Sequence, residues 1–107
     1  MPSDGAALLP HVSTLKGVKD LTPDVKLFNI EIDDPQVRER FVYHPGQFAF
    51  VSAFGVGESP FGITSVSYRK DGLEFAVRKV GTVTSMLHEL EPGAKVGIRG
   101  PFGNYFP

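Results

Sequence analysis

The segment Gly81 to Ser85 combines residue types that suit an anionic ligand. A strand-like stretch ends there in glycine and leads into a helical pattern whose first turn contains Thr82, Thr84 and Ser85. Such a turn presents backbone N–H groups, hydroxyl donors and the positive end of a helix dipole. This combination suits a phosphate or pyrophosphate. The alternative is that no ligand binds here: Gly81 then only allows the chain to turn, and the threonine hydroxyls only cap the helix.

A second segment, Ser59 to Ser65, has residues suited to a flat ring. Phe61 follows a proline and precedes a glycine and two hydroxyl residues. Its ring could stack on an aromatic ligand while backbone and hydroxyl groups contact the ligand's polar edge. The alternative is a connection between strands that buries a phenylalanine. A ring site and a phosphate site joined by one strand would together suit a dinucleotide.

Length and composition narrow the class of protein. The 107 residues fit one domain. The chain has no cysteine, which excludes disulfides, thiolate metal sites and iron–sulfur clusters within it. With a net charge of −1 and interspersed acidic and basic residues, it offers no basic patch for nucleic acid. His11, His44 and His88 lack metal-ligand spacing, so we expect no metal site.

The sequence shows no sign of export or of membrane insertion. Residues 1–9 lack the basic start and long apolar stretch of a signal peptide. No later apolar run approaches the ~20 residues that a membrane-spanning helix needs. We therefore expect a cytoplasmic protein.

The apolar pattern predicts an all-β fold with one helix. Alternation is clear over Val25 to Ile32 and Leu73 to Val80, and further strands are expected over 11–20, 47–54, 62–68 and 94–99. We interpret residues 36–44 and 55–61 as loops. The spacing of Val83, Met86, Leu87 and Leu90 predicts a helix over about residues 83–90, capped by Thr82 or Thr84. The expected fold is a six-stranded antiparallel Greek-key barrel with one short capping α-helix.

Four motifs follow one another in an informative order: PGQF at 45–48, PFGITS at 60–65, VRKVGTVT at 77–84 and GPFG at 100–103. In this order they resemble the FAD-binding barrel domain of the ferredoxin-NADP reductase superfamily. The similarity is greatest to the branch that contains sulfhydrogenase gamma subunits, one of the subunits of anaerobic sulfite reductase and the electron-transfer subunit of dihydroorotate dehydrogenase. It extends from about Val12 to the end of the chain.

The resemblance implies FAD as the cofactor. Phe61 would pack on the isoalloxazine ring, and Gly62 to Ser65 would lie along the polar edge of the ring. Val77 to Val80 would line the adenosine side, and the turn that follows would hold the pyrophosphate. The implied cofactor-binding residues are Pro60, Phe61, Gly62, Ile63, Thr64, Ser65, Val77, Arg78, Lys79, Val80, Gly81, Thr82 and Thr84.

Three residues depart from the motif of the family. Ser59 stands where an arginine commonly neutralises the flavin phosphate, so that charge must come from elsewhere, first from Arg78 and second from Lys79. Phe61 replaces the stacking tyrosine, and Gly62 replaces a serine that often contacts N5. We therefore expect the loop to hold the flavin by shape and backbone.

The expected function is that of an FAD-binding domain in an NAD(P)H-dependent oxidoreductase. It would relay electrons between a nicotinamide cofactor, NADH or NADPH, and an iron–sulfur or other redox partner. Members of the family continue into a nicotinamide-binding domain after the GPFG motif, where this chain ends, so residues 1–107 alone are not expected to be active. The alternative is a non-catalytic small β-barrel that binds an oligosaccharide or a protein without flavin.

Overall fold

The computed structural model describes residues 9–44, 46–64 and 72–103 and confirms six antiparallel strands in one sheet. The order across the sheet is β4-β3-β6-β1-β2-β5. None of the helices in these ranges has the length and apolarity needed to cross a membrane. The elements are β1 (His11–Thr22), β2 (Val25–Ile32), α1 (Pro35–Arg40), β3 (Phe48–Ala53), β4 (Gly57–Gly62), β5 (Leu73–Arg78), α2 (Thr82–His88) and β6 (Lys95–Phe102).

Alternating apolar residues place one face of the sheet in the core. In β5, Leu73, Phe75 and Val77 are buried while the residues between them are more exposed, as the period-2 pattern predicts. Phe28 of β2 lies opposite Phe75, and both rings are fully buried. Each such ring contributes roughly 1.5–3 kcal/mol by leaving water. This pairing sets the register of β5 against β2.

The sheet curls until its two end strands meet. Ile63, just after β4, forms an antiparallel bridge with Phe75 of β5, and the Thr64 N–H donates to the Glu74 carbonyl at 2.9 Å. Among the described residues this is the one bridge between the two ends. The fold is therefore barrel-like, with its strands joined at a single point rather than along a full ladder.

The fourth strand begins five residues earlier than predicted, at Gly57 instead of residue 62. The Val56 N–H donates to the Ala53 carbonyl at 2.9 Å and closes a tight turn, after which β4 pairs with β3. Pro60 is tolerated because β4 is an end strand whose outer edge needs no N–H donor. The predicted loop over 55–61 is therefore mostly strand. Residues 65–71, which include most of the predicted strand over 62–68, lie outside the described residues.

Two further boundaries differ from the prediction. Residues 36–44 were expected to be a loop, but α1 occupies Pro35–Arg40, with the Asp34 carboxylate accepting the Gln36 N–H at 2.9 Å. An aspartate cap followed by proline at the first helical position explains this helix. The sixth strand was expected to end at residue 99, yet β6 extends to Phe102, which pairs with Phe48 across a bulge. The described residues thus form two helices rather than the one predicted.

Helix α2 lies close to the predicted position, but it ends at His88 instead of about residue 90 and presents a partly different face. Leu87 is fully buried and Val83 packs on the core, whereas Met86 is 41% exposed. The inward positions are instead completed by Thr84 and His88, which are polar and were not counted in the apolar pattern. The N-cap residue is Gly81 and not a threonine. The helix therefore attaches to the barrel through hydrogen bonds as well as apolar contacts.

A surface network joins β1, β6 and the end of β2. The Lys95 ammonium lies 2.7 Å from both Asp33 Oδ2 and Thr14 Oγ1, and the Thr14 hydroxyl donates to Asp33 Oδ1 at 2.6 Å. The hydrogen bond from Lys95, followed by that from Thr14, lowers the pKa of Asp33 below its ordinary value of 3.8. The ionised carboxylate therefore stabilises the folded chain.

We expect Asp33→Asn to lower the melting temperature at neutral pH by a few degrees, because exposed ion pairs contribute at most about 1 kcal/mol. Since the folded-state pKa lies below the unfolded value, this stabilisation is present above the unfolded pKa and disappears as the pH falls through the folded one. Melting curves at neutral pH and at about pH 2 test this. A deficit that is the same at both pH values would contradict it, and Asp20→Asn, at an exposed position, serves as the control.

Candidate functional site

One buried hydroxyl organises the turn between β5 and α2. The Oγ1 atom of Thr84 accepts hydrogen bonds from the Val80 and Gly81 N–H groups at 2.8 and 2.9 Å, and it donates to the Gly81 carbonyl at 3.1 Å. Thr84 is only 5% exposed. A hydroxyl has one donor and two acceptor sites, so this one is fully used within the turn. Thr84 shapes the turn from inside and presents no hydroxyl outward.

The start of α2 leaves backbone donors at the surface. The first helical hydrogen bond joins the Ser85 N–H to the Gly81 carbonyl at 2.8 Å. The N–H groups of Thr82 and Val83 precede it and have no acceptor within the helix. Gly81 and Thr82 are exposed. Because α2 has only seven residues, attraction for an anion must come from these donors and nearby cations more than from a long helix dipole.

The hairpin between β1 and β2 supports the cations that precede this turn. The Asp24 carbonyl accepts the Lys79 N–H at 2.8 Å, and Asp24 Oδ2 lies 3.9 Å from Arg78 Nη1. The Thr22 hydroxyl is the main cause of a lowered pKa at Asp24, and the Arg78 charge also lowers it. The Arg78–Asp24 pair is exposed, and solvent screens such a pair so strongly that it adds little to stability. Arg78 can therefore exchange this carboxylate for a phosphate at little cost.

The predicted ring-binding residues lie on and just after β4. Phe61, opposite the buried Ala49, is half-buried against the core, while Pro60 and Gly62 are exposed. Ile63 also packs on the core. The Thr64 hydroxyl donates to the Glu74 carbonyl at 2.9 Å, so it secures the junction with β5. Ser65 lies outside the described residues.

Strand β5 and helix α2 connect the two predicted halves of the site. Phe75 bridges to Ile63, and Arg78 lies three residues further along the same strand, roughly 10 Å away. The first turn of α2 covers the start of β4, since a Cβ on Gly57 would lie 3.2 Å from Val83 Cγ2. Val77 faces the core at 0% exposure, so only its backbone can border a ligand, whereas Val80 is 74% exposed.

Two glycines in this region have no conformational or packing requirement of their own. Gly62 and Gly81 adopt no positive φ, and a Cβ added to either would meet nothing within 4 Å. Gly81 has φ −171° and ψ −169°, an extended conformation open to any residue. Gly97, by contrast, would place a Cβ 2.8 Å from Pro10 Cβ. Because Gly62 and Gly81 have no side chains, the surface next to each of them is open, and each lies in one of the two predicted half-sites.

Comparison with known protein families identifies the family of the chain. Residues 13–106 match the model of the oxidoreductase FAD-binding domain. The chain belongs to this family. Its cofactor is FAD, as the resemblance implied, and the alternative of a small barrel without flavin is set aside.

Named relatives place this FAD-binding domain in the predicted branch. It is 44% identical to sulfhydrogenase 1 subunit gamma of Pyrococcus furiosus over its whole length, covering 36% of that protein. It is 37% identical to a probable dihydroorotate dehydrogenase B (NAD(+)) electron transfer subunit of Methanocaldococcus jannaschii, over 91% of the chain and 33% of that protein. The chain thus spans about a third of the length of these relatives.

A solved structure supports the fold of this FAD-binding domain. A ferredoxin NADP+ reductase from Neisseria gonorrhoeae, determined with bound FAD and NADP, superposes with a TM-score of 0.72. The match covers 87% of this chain and 38% of the other at 20% identity. At that identity the likeness establishes the barrel architecture and not the residues of the site.

Sequence reasoning missed three residues whose contacts lie beside this turn of the FAD-binding domain, at the end of β5 or of α2: Asp24, Lys26 and His88. His88 was considered only as one of three histidines without metal-ligand spacing, and Asp24 and Lys26 were assigned no role. His88 follows Thr84 by four residues, which puts both on one side of a helix, and this spacing was the one signal available. Asp24 lies 55 residues from its partner Lys79 in the chain, and His88 lies 11 residues from its partner Val77. Contacts over such separations become visible only in the folded structure.

We expect Thr84→Val to destabilise the chain by about 1–3 kcal/mol, because it leaves two N–H groups of the turn without their acceptor. Urea unfolding of the ligand-free protein measures this loss. Thr82→Val is the matched control, since Thr82 is exposed and the change should stay within about 0.5 kcal/mol. Equal effects of the two substitutions would show that the Thr84 hydroxyl does not organise the turn.

Proposed function

We propose that the domain holds the flavin ring against the β4 side of the site and the pyrophosphate on the turn between β5 and α2. The observation that supports this most is the pair Gly62 and Gly81, whose missing side chains keep both surfaces open without any need of the fold. Glycines of this kind allow a ligand to approach the backbone closely. The ligand class is inferred from the family, and the two proposed contact areas are inferred from the positions of Gly62 and Gly81.

Each proposed binding residue then has a distinct part. Phe61 packs beside the ring, and the exposed backbone at Pro60 and Gly62 lies along it. The N–H groups of Thr82 and Val83 donate to the pyrophosphate. Arg78 and Lys79 supply the positive charge that is absent at Ser59. In the same proposal Ile63, Thr64 and Ser65 border the ring edge, Val77 and Val80 border the adenosine, and Thr84 holds Gly81 in position.

The domain would act as the flavin half of a longer electron-transferring oxidoreductase. Bound FAD can exchange a hydride with a nicotinamide and pass electrons on singly. Two named relatives are an NAD(+)-linked electron transfer subunit and a sulfhydrogenase gamma subunit, which supports a nicotinamide partner and a neighbouring redox subunit. We propose that a downstream nicotinamide-binding domain and an iron–sulfur partner complete the path. A cytoplasmic location stays a prediction.

Thermal melting of the purified full-length protein with three ligands tests this function. FAD spans both proposed half-sites, whereas riboflavin reaches only the ring half and ADP only the pyrophosphate half. A ligand at about 100 times its dissociation constant stabilises the native state by about 2.7 kcal/mol. We expect a clear upward shift with FAD and smaller shifts with riboflavin and ADP. No shift with FAD, for protein first stripped of any co-purified flavin, would contradict the proposal.

A further inference from the structure

His88 is a buried side chain to which the flavin site gives no role. It is 8% exposed, at the end of α2, and its Nε2 atom lies 2.7 Å from the Val77 carbonyl oxygen. A carbonyl only accepts hydrogen bonds, so Nε2 bears the proton and donates it. This contact ties the helix to the last buried residue of β5.

A second tether reaches the same helix end from β2. The Lys26 ammonium donates to the His88 carbonyl at 2.9 Å, where the last carbonyls of a helix lack helical partners. The Phe28 ring also packs beside His88, with the ring centroids 6.2 Å apart and the ring planes tilted by 42°. His88 is thus held by β2 and in turn holds β5.

These contacts fix the chain segment that the proposed function uses. Val77 directly precedes the stretch from Arg78 to Gly81, and Thr84 holds the far end of that stretch. A helix of seven residues is too short to persist without tertiary support. The distance between the turn and Phe61 on β4 therefore depends on where His88 anchors α2.

We propose that His88 is a positioning residue for the pyrophosphate half of the site. Through the Val77 carbonyl it sets the place of the turn relative to the ring half, without touching the ligand itself. The inference rests on the proposed function, because it assumes that FAD bridges β4 and this turn. It predicts that loss of the His88 donor weakens ligands that span both halves and spares a ligand of the ring half alone.

The test compares His88→Leu with His88→Gln in the full-length protein, using dissociation constants for FAD and riboflavin. Glutamine can place an amide N–H near the position of Nε2, whereas leucine cannot donate. We expect about a tenfold loss of FAD affinity in His88→Leu, equivalent to about 1.4 kcal/mol. Riboflavin affinity should stay within about twofold, and His88→Gln should stay within about threefold of the wild type for FAD.

A second pair of variants keeps the test decisive if His88→Leu does not fold. Lys26→Met removes the other tether from a partly exposed position and should weaken FAD severalfold with riboflavin unchanged. Arg38→Met is the matched control, since it removes a side-chain bond to the Ile32 carbonyl that anchors α1. That bond lies at the other end of β2, roughly 20 Å along the strand from Lys26, and its loss should affect neither ligand.

The outcomes separate the two proposals. Wild-type protein that does not bind FAD would overturn the proposed function itself. If the wild type binds FAD but the His88 and Lys26 variants lose equal affinity for FAD and for riboflavin, His88 has only a general stabilising role. That result would overturn the inference. Unchanged FAD affinity in both variants would overturn it as well.

Discussion

Gly81→Glu should lower the affinity for FAD by about 100-fold or more, equivalent to at least ~2.7 kcal/mol. The substitution places a carboxylate where the pyrophosphate is proposed to lie, and like charges at contact distance in a partly dry site repel strongly. Gly81 is exposed and extended, with nothing within 4 Å of an added Cβ. The free energy of unfolding should therefore change by no more than about 1 kcal/mol. Titration of FAD into apoprotein and urea unfolding give the two quantities.

Neutral substitutions at Gly81 separate charge from bulk. Gly81→Gln has nearly the size of glutamate, so it should lose less affinity than Gly81→Glu, and the gap between them should narrow at high salt. Gly81→Ala adds one methyl group and should have the smallest effect of the three. If FAD affinity is unchanged in Gly81→Glu while its stability is intact, the pyrophosphate does not lie at this turn.

Ser59→Arg should raise the affinity for FAD by about tenfold, equivalent to ~1.4 kcal/mol. Ser59 stands where the family commonly has an arginine. It lies on β4, two residues after Gly57, and the first turn of α2 packs against Gly57. A guanidinium there would reach the proposed pyrophosphate and form charge-assisted hydrogen bonds with it. Fluorescence titration of FAD measures the gain.

The matched control for this gain is Ser59→Gln, which adds a long polar side chain without a charge. It should leave FAD affinity within about threefold of the wild type. Added salt should reduce the advantage of Ser59→Arg over Ser59→Gln. A loss of affinity in Ser59→Arg, with stability unchanged, would mean that Ser59 does not face the phosphates.

The sequence predicted most strands because alternation reports burial directly. Val25–Ile32 was predicted to the residue, and Leu73, Phe75 and Val77 are buried as expected. The fourth strand was misplaced because GVGESPFG is rich in turn residues. Its end position in the sheet is what tolerates them, and that position is set by tertiary pairing. Helix α1 was missed although Asp34 and Pro35 form a recognisable helix start.

The two proposed halves of the site were predicted from the sequence because one combines glycine and hydroxyl residues with Phe61, and the other combines glycine with hydroxyl residues before a helical pattern. The orientation of the individual side chains could not be predicted from the sequence. Thr84 turns its hydroxyl inward and Val77 faces the core, which depends on how α2 docks on β5. The supporting contacts of Asp24, Lys26 and His88 join segments far apart in the chain, and local patterns contain no information about them.

The most direct test of the proposed site is the set of backbone amides that respond to FAD in two-dimensional NMR spectra of the isotope-labelled protein. We predict that the largest shift changes fall in two groups, over residues 59–64 and 79–84. Helix α1, at the end of β2 that lies away from Arg78, should stay unchanged. Changes confined to one group, or centred on α1, would contradict a flavin bound across β4 and the turn before α2.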